Sequence, residues 1–189
     1  MRGHMARTWK DKAVDRFLTL YLMDDVFSRK RMRFLPTTKL QKLVFLSEKP
    51  MIHDRRKGFN FYFIKLIHGP FSQELEGDTE KLVQVGLVGD RGLEPTKQAR
   101  ALLEDFHGLV ERNRSFFAYI TKANDDFAKV PLEQLLDTIY SMPWGKGKTI
   151  DDLSPRTPML YPMNPENVVS EFDITDDEIE DLLMNFDPK

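Results

Sequence analysis

The sequence predicts an α+β fold, predominantly helical, with a winged-helix-like core, appended C-terminal helices and an acidic tail. Three observations lead there. Apolar residues recur at three- and four-residue spacing through most of the chain. One aromatic, partly alternating run, residues 59–66, breaks that rhythm and reads as a strand. The order helix, helix, strand, helix, hairpin, helix between residues 10 and 112 is that of a winged-helix unit, and one that other small α+β domains share.

The first helix is predicted over 10–28, where Val14, Phe17, Leu18, Tyr21 and Leu22 give one apolar face. A basic connector follows at 28–33. Pro36 with Thr37 and Thr38 opens the second helix, a Thr hydroxyl serving as cap, with Leu40, Leu43 and Val44 inward and Lys49-Pro50 as its end. Residues 54–58 read as a polar loop before the strand. Gly69-Pro70 breaks the strand, and Ser72 stands where an N-cap belongs, with Glu74 and Glu76 in the positive first turn. That third helix runs to about Val85, where Gly86 and Leu87 suit a Schellman stop. Residues 87–93 suggest a short hairpin. Thr96 leads into a longer helix carrying Ala99, Leu102, Leu103, Phe106, Leu109 and Val110, which continues or kinks through Phe116, Phe117 and Ile120. Pro131 opens another, with Leu132, Leu135, Leu136, Ile139 and Tyr140 inward.

From Pro143 the texture changes: Pro155, Pro158, Pro162 and Pro165 punctuate an extended wrap or linker. An acidic amphipathic helix then covers 174–186, with Thr175 and Glu178 as a capping box and Ile179, Leu182, Leu183 and Phe186 as its apolar face. The expected division is thus a core domain over 6–142, a proline-containing segment over 143–173 and a tail helix over 174–189. Met5 suggests that what precedes it is a cloning remnant, so residues 1–5 are kept out of the functional reading.

Composition narrows the function classes. None of the 189 residues is a cysteine, which excludes disulfides and thiolate metal sites. No stretch approaches the roughly 20 apolar residues of a membrane span, and a cytoplasmic location is the expectation. The net charge of −2 conceals a gradient. Residues 1–60 carry 15 Lys/Arg against 6 Asp/Glu, and residues 150–189 carry 2 against 11. A basic head and an acidic tail imply partners of opposite charge, within the molecule or outside it.

Two segments carry a family resemblance. One is Thr38-Lys39-Leu40-Gln41-Lys42-Leu43-Val44-Phe45-Leu46; the other is His68-Gly69-Pro70-Phe71-Ser72-Gln73-Glu74-Leu75, followed by Leu82 and Gly86-Leu87. Together with Leu135-Leu136-Asp137-Thr138-Ile139-Tyr140 and Pro143, they resemble the Panacea-domain group of prokaryotic proteins. That group includes phage-associated proteins and the antitoxins of toxin–antitoxin pairs, one of them a proteolysis adaptor. The resemblance covers roughly 38–143 and implies a non-enzymatic protein whose partner is a toxin or a protease system. The chain departs from the group at Leu66-Ile67-His68, where a charged or aromatic approach to the turn is common.

Chemistry-bearing patterns are sparse. His53, His68 and His107 have no ligand-pair spacing. The acid pairs at 24–25, 125–126 and 151–152 fall at helix ends and loops, where they serve as caps or solvated groups. Gly145-Lys146-Gly147-Lys148-Thr149 lacks the upstream glycine and the strand of a phosphate loop. Neither metal nor cofactor is expected, and no enzyme. Gly69, Pro70 and Ser72 are each explained by a strand-to-helix turn.

Candidate partner-binding residues are therefore the basic Arg29, Lys30, Arg31, Arg33, Arg55, Arg56 and Lys57, and the apolar Ile179, Leu182, Leu183 and Phe186 of the tail. Lys39 and Lys42 add to the basic region, which is able to neutralise phosphates. Against this, Glu74, Glu76, Asp78 and Glu80 on the third helix would oppose nucleic acid where a winged helix reads it. A protein-binding module, antitoxin-, adaptor- or regulator-like, is the first reading. A winged-helix DNA-binding regulator, using the basic region and an 89–92 wing, is the alternative. The tail helix is expected to dock in cis near 29–33 or 55–57, or in trans.

Overall fold

Helix α1, Trp9–Ser28, begins with a capping box in which Thr8 accepts the Asp11 N–H and the Asp11 carboxylate accepts the Thr8 N–H. Periodicity gave it one apolar face, yet residues 13–20 are buried without a break, Asp15, Arg16 and Thr19 included. The reason is position: α1 is the central helix, and its polar stripe faces other buried charges instead of water. A computed structural model supplies this description for residues 6–188; the N-terminal start over 1–5 and Lys189 lie outside the described residues.

Helix α2, Thr37–His53, differs from expectation at both ends. Pro36 is its N-cap residue, with no side chain capping it. Pro50 lies inside the helix instead of ending it. Met51 beyond it is fully buried, and that packing outweighs the one backbone bond a proline forfeits.

After α2 come β1, Arg56–Lys57, then an extended segment, then β2, Phe63–Leu66. The strand foreseen over 59–66 is therefore shorter. Residues 59–61 are buried, but the amides of 60–62 bond carboxylates and not a neighbouring strand: Asn60 N–H to Asp15 at 2.8 Å, Phe61 N–H to Glu48 at 3.0 Å, Tyr62 N–H to Glu74 at 2.9 Å. Each donor is satisfied without a ladder. A two-residue turn, Ile67-His68, joins β2 to β3, Gly69–Phe71, and Gly69 closes it at φ +82°.

Helix α3, Gln73–Gln84, starts on Ser72, whose Oγ accepts the Leu75 N–H. It ends as the glycine predicted: Gly86 has φ +77°, its N–H reaches Val83 O, and the Leu87 N–H reaches Leu82 O. The hairpin expected over 87–93 is a single bridge, Val88 with Pro95, closed by Gly89 N–H to Glu94 O.

The long helix that follows is broken twice, into α4 (Lys97–Asp105), α5 (His107–Arg112) and α6 (Arg114–Phe127). At the first break Phe106 turns inward, edge-on to Phe17. At the second, buried Asn113 donates to Asp173 O and accepts the Asp173 N–H, fastening a segment 60 residues away. Helix α7, Leu132–Tyr140, follows Pro131 and buries Leu135 and Ile139.

The proline-punctuated segment is more than a wrap. It supplies β4, Pro158–Leu160, which makes a three-stranded sheet in the order β3-β2-β4, and β5, Ser170–Glu171, parallel to β1. Pro158 sits on an edge strand, where its missing N–H costs no ladder bond. Helix α8, Asp176–Phe186, then forms on the Thr175–Glu178 capping box. Its Leu182 and Phe186 are fully buried in the same apolar cluster as Phe17, Phe45 and Phe63. Of the residues placed inward by periodicity, Tyr21, Leu103, Phe106, Val110, Tyr140, Ile179 and Leu183 are only partly buried and pack against the edge of this cluster.

Candidate partner-binding site

The two segments that carry the family resemblance meet in space. Helix α2 presents Gln41, whose side-chain amide donates to Ser72 O at 2.9 Å while its Oε1 accepts the Ser72 N–H at 2.8 Å. One turn of backbone is thereby read from both sides, and all these groups are buried. The Lys42 Nζ donates to Pro70 O at 2.8 Å, and the Lys39 Nζ to Val130 O at 2.6 Å. Burial without a carboxylate partner pushes the Lys42 ammonium down to about 8 and Lys39 below its usual value. Leu40 and Leu75 are core residues, and Glu74 holds the Tyr62 amide. Lys39, Leu40, Gln41, Lys42, Gly69, Pro70, Ser72, Glu74 and Leu75 thus form a structural junction. Ser72 caps α3 as read from the sequence, but Gly69 and Pro70 continue the sheet as β3 instead of breaking a strand into a helix. Lys39 and Lys42, counted with the basic region, are buried on backbone carbonyls.

In front of that junction opens a cleft of about 360 Å³. Its walls are the first turns of α2, the β2–β3 hairpin and α3. Leu40, Leu66, Ile67 and Phe71 give it an apolar lining, with His68, Glu76 and Glu80 also facing it. Ile67, at the hairpin tip, is 86% exposed. Glu76 and Glu80 lie one helical turn apart, exposed and without an ion pair among the described residues.

The basic candidates do not form one surface. Arg29 is forked onto Asp25 and also reaches Asp125, which takes Lys30 as well. Arg55 donates to Asn167 O, and Arg56 to Ser115 with its guanidinium over Phe116. Lys57 is held by Asp11 and Glu171. Arg31 and Arg33 are exposed with no ion pair among the described residues.

The tail docks in cis, at a different place from the one expected. Asp187 binds Arg16 and Lys81, and Glu178 binds Arg112. These bonds outweigh burial and hold both carboxyls below their usual values. Of the basic residues named in advance, Arg55 and Lys57 meet the segment that precedes the helix, at Asn167 O and Glu171, and among the described residues none bonds the helix itself. Leu182 and Phe186 are spent in the core, and Ile179 and Leu183 pack partly buried against it, so this face offers no open docking surface.

Sequence reasoning missed a buried charge network. Arg7 bonds Asp15 at 2.8 Å and Asp78 at 2.6 Å, and Arg16 bonds Asp78 at 2.9 Å. Burial raises Asp15 to about 7 against the pull of Arg7, and raises Glu48 well above the carboxylate range. One signal was present: Glu48 continues the Leu40–Val44 stripe at four-residue spacing, a charge where the pattern calls for an apolar side chain.

Residues 145–149 form a tight turn closed by Trp144 N–H to Lys148 O. Among the described residues no group of three or more His, Asp or Glu is placed to hold a metal, and no helix is long and apolar enough to cross a membrane. Compared with protein-family models, with curated proteins and with solved structures, the chain has no match.

Proposed function

We propose that this chain is a non-enzymatic binding protein, of antitoxin, adaptor or regulator type, which seats a segment of a partner protein in the cleft between α2 and the β2–β3 hairpin. The observation that carries this reading is Ile67: a branched apolar side chain 86% exposed at the lip of an apolar cleft, on a hairpin braced from behind by Gln41 and Lys42. A rigid apolar lip beside a preformed cleft suits a protein contact. The Panacea resemblance supplies the toxin or protease-system side of the reading, and its residues brace this same cleft. The chain's departure at Leu66-Ile67-His68 falls on the lip, where partner choice is made.

The test is co-expression with the product of the adjacent reading frame. A stable complex is expected, and Ile67→Asp weakens it by about tenfold or more, the cost of placing a charge in an apolar contact. A complex whose affinity is unchanged in Ile67→Asp, with the variant folded by thermal unfolding, sinks the site.

A second reading, a DNA-binding regulator with a winged-helix-like core, has one observation in its favour. The Leu35 N–H bonds Gly92 O, and Phe34, 58% exposed, lies against Gly92. This brings Arg31 and Arg33 beside the 89–92 loop with Arg91, all exposed and without an ion pair among the described residues. The acids on α3 oppose it. Gel shifts at two salt concentrations separate the readings: salt-sensitive binding lost in Arg31→Ala/Arg33→Ala would favour DNA.

A further inference from the structure

The apolar side of α8 is consumed inside the molecule, and its other side forms one wall of a second surface. Between α4–α5 and α8 lies an open groove of about 660 Å³. Ala101, Leu102, Phe106 and Leu109 give it an apolar floor, and Met184 on α8 overhangs it. Met184 is 71% exposed, a flexible, polarisable side chain that adapts to whatever lies against it. Gly108, in the lining, has nothing within 4 Å of the place a Cβ would take, so the groove is open above it.

The charge around this floor has one sign. Asp105 and Asp181 line the groove, both exposed and without an ion pair among the described residues. Along α8 the exposed Asp176, Asp177 and Glu180 are also without ion pairs among the described residues. Asp176 with Glu180, and Asp177 with Asp181, are like charges one turn apart, which repel. Arg112, the cation at this edge, is already held by Glu178 and Asp173. A cationic partner would relieve that repulsion, and the focused negative potential would draw it in. The groove shares no lining residue with the cleft at Ile67, and so goes beyond the function proposed above.

We propose that this groove receives a lysine- or arginine-rich segment of another protein, which lays a long apolar side chain over the floor beside Met184 and sets its cations against Asp105 and Asp181. The apolar contact supplies affinity, and the acids set orientation and association rate.

The experiment titrates the full chain with a fluorescein-labelled amphipathic lysine–leucine peptide, read by anisotropy at low and physiological salt. Three comparators run beside it: the glutamate–leucine peptide, a lysine–serine peptide and spermine. The expected result is binding of the lysine–leucine peptide alone. Asp105→Asn/Asp181→Asn and Met184→Ser each weaken it about tenfold, within the range of exposed-charge and apolar-anchor effects, while Ile67→Asp leaves it unchanged. All four positions are exposed, so thermal unfolding of the variants should match the parent. Equal binding of spermine or the lysine–serine peptide overturns the proposal, because the apolar floor would then play no part. Unchanged affinity in the groove variants, loss in Ile67→Asp, or failure of the lysine–leucine peptide to bind overturns it equally.

Discussion

Two sets of carboxylates occupy opposite situations in this molecule. Asp15, Glu48 and Asp78 are at most 2% exposed, and they anchor backbone amides and two arginines in the interior. Asp176, Asp177, Glu180 and Asp181 stand in solvent on α8. A charge count treats the seven alike. Their surroundings divide them: the first set is structural material between helices α1, α2 and α3, and the second is free to meet something else. Acidic content in a sequence therefore says little until burial is known, and the gradient from basic head to acidic tail is only partly a surface property.

The sharpest way to break this contrast is Asp15→Ala. It leaves the buried Asn60 amide without its acceptor and takes one of two bonded carboxylates from the Arg7 guanidinium, which keeps Asp78. Leaving a buried donor unsatisfied costs about 1–3 kcal/mol, readable as a lower urea midpoint. A loss below about 1 kcal/mol would mean that the interior set behaves like surface acids.

Glu48→Gln is a milder probe with a pH signature. Burial raises Glu48, so the folded chain keeps a proton that the unfolded chain releases above about pH 4. The folded state then binds more protons, and stability falls as pH rises from there through the folded value. Glutamine cannot ionise, and it still offers an oxygen to the Phe61 N–H. The variant should gain on the parent by up to about 1.4 kcal/mol per pH unit across that window, in denaturation curves at pH 5, 7 and 9. Asp15, raised to about 7, has the same sign and remains in both proteins. A difference that does not move with pH would show that Glu48 is ionised in the fold.

The smallest effect belongs to the outer set. Glu180→Gln/Asp181→Asn should leave stability within about 0.5 kcal/mol of the parent, with a slight gain from relieved repulsion. A large loss would reveal that α8 needs these acids for its own folding.

What the sequence made legible was local chemistry. The capping box at Thr175 and Glu178, the Ser72 cap, the Gly86 stop and the start after Pro131 each depend on residues within one turn. Long-range partners were not legible. Nothing near Asn113 announces that it will interrupt a helix for Asp173, and nothing in Pro158–Leu160 says that it will pair with β2. The Pro50 stop failed because local propensity lost to the burial of Met51. At the candidate site the Ser72 cap was readable, but the hairpin that takes Gly69 and Pro70 into a strand was not, nor was the exposure of Ile67, since an isoleucine between Leu66 and His68 looks like core. The tail face failed as a docking surface for the opposite reason: Leu182 and Phe186 found their partner surface within the chain.

The three carboxylates that hold the 60–62 amides come from three different helices: Asp15 from α1, Glu48 from α2 and Glu74 from α3. Consecutive amide protons are thus locked to separate parts of the fold. For any of them to exchange with solvent deuterium, its own helix must let go or the whole segment must lift. If Asn60, Phe61 and Tyr62 exchange at one common rate, the three helices open as one cooperative unit; if their rates differ, the order of the rates is the order in which the helices part. Three adjacent residues in an unremarkable stretch of chain become a built-in gauge of how the molecule comes apart.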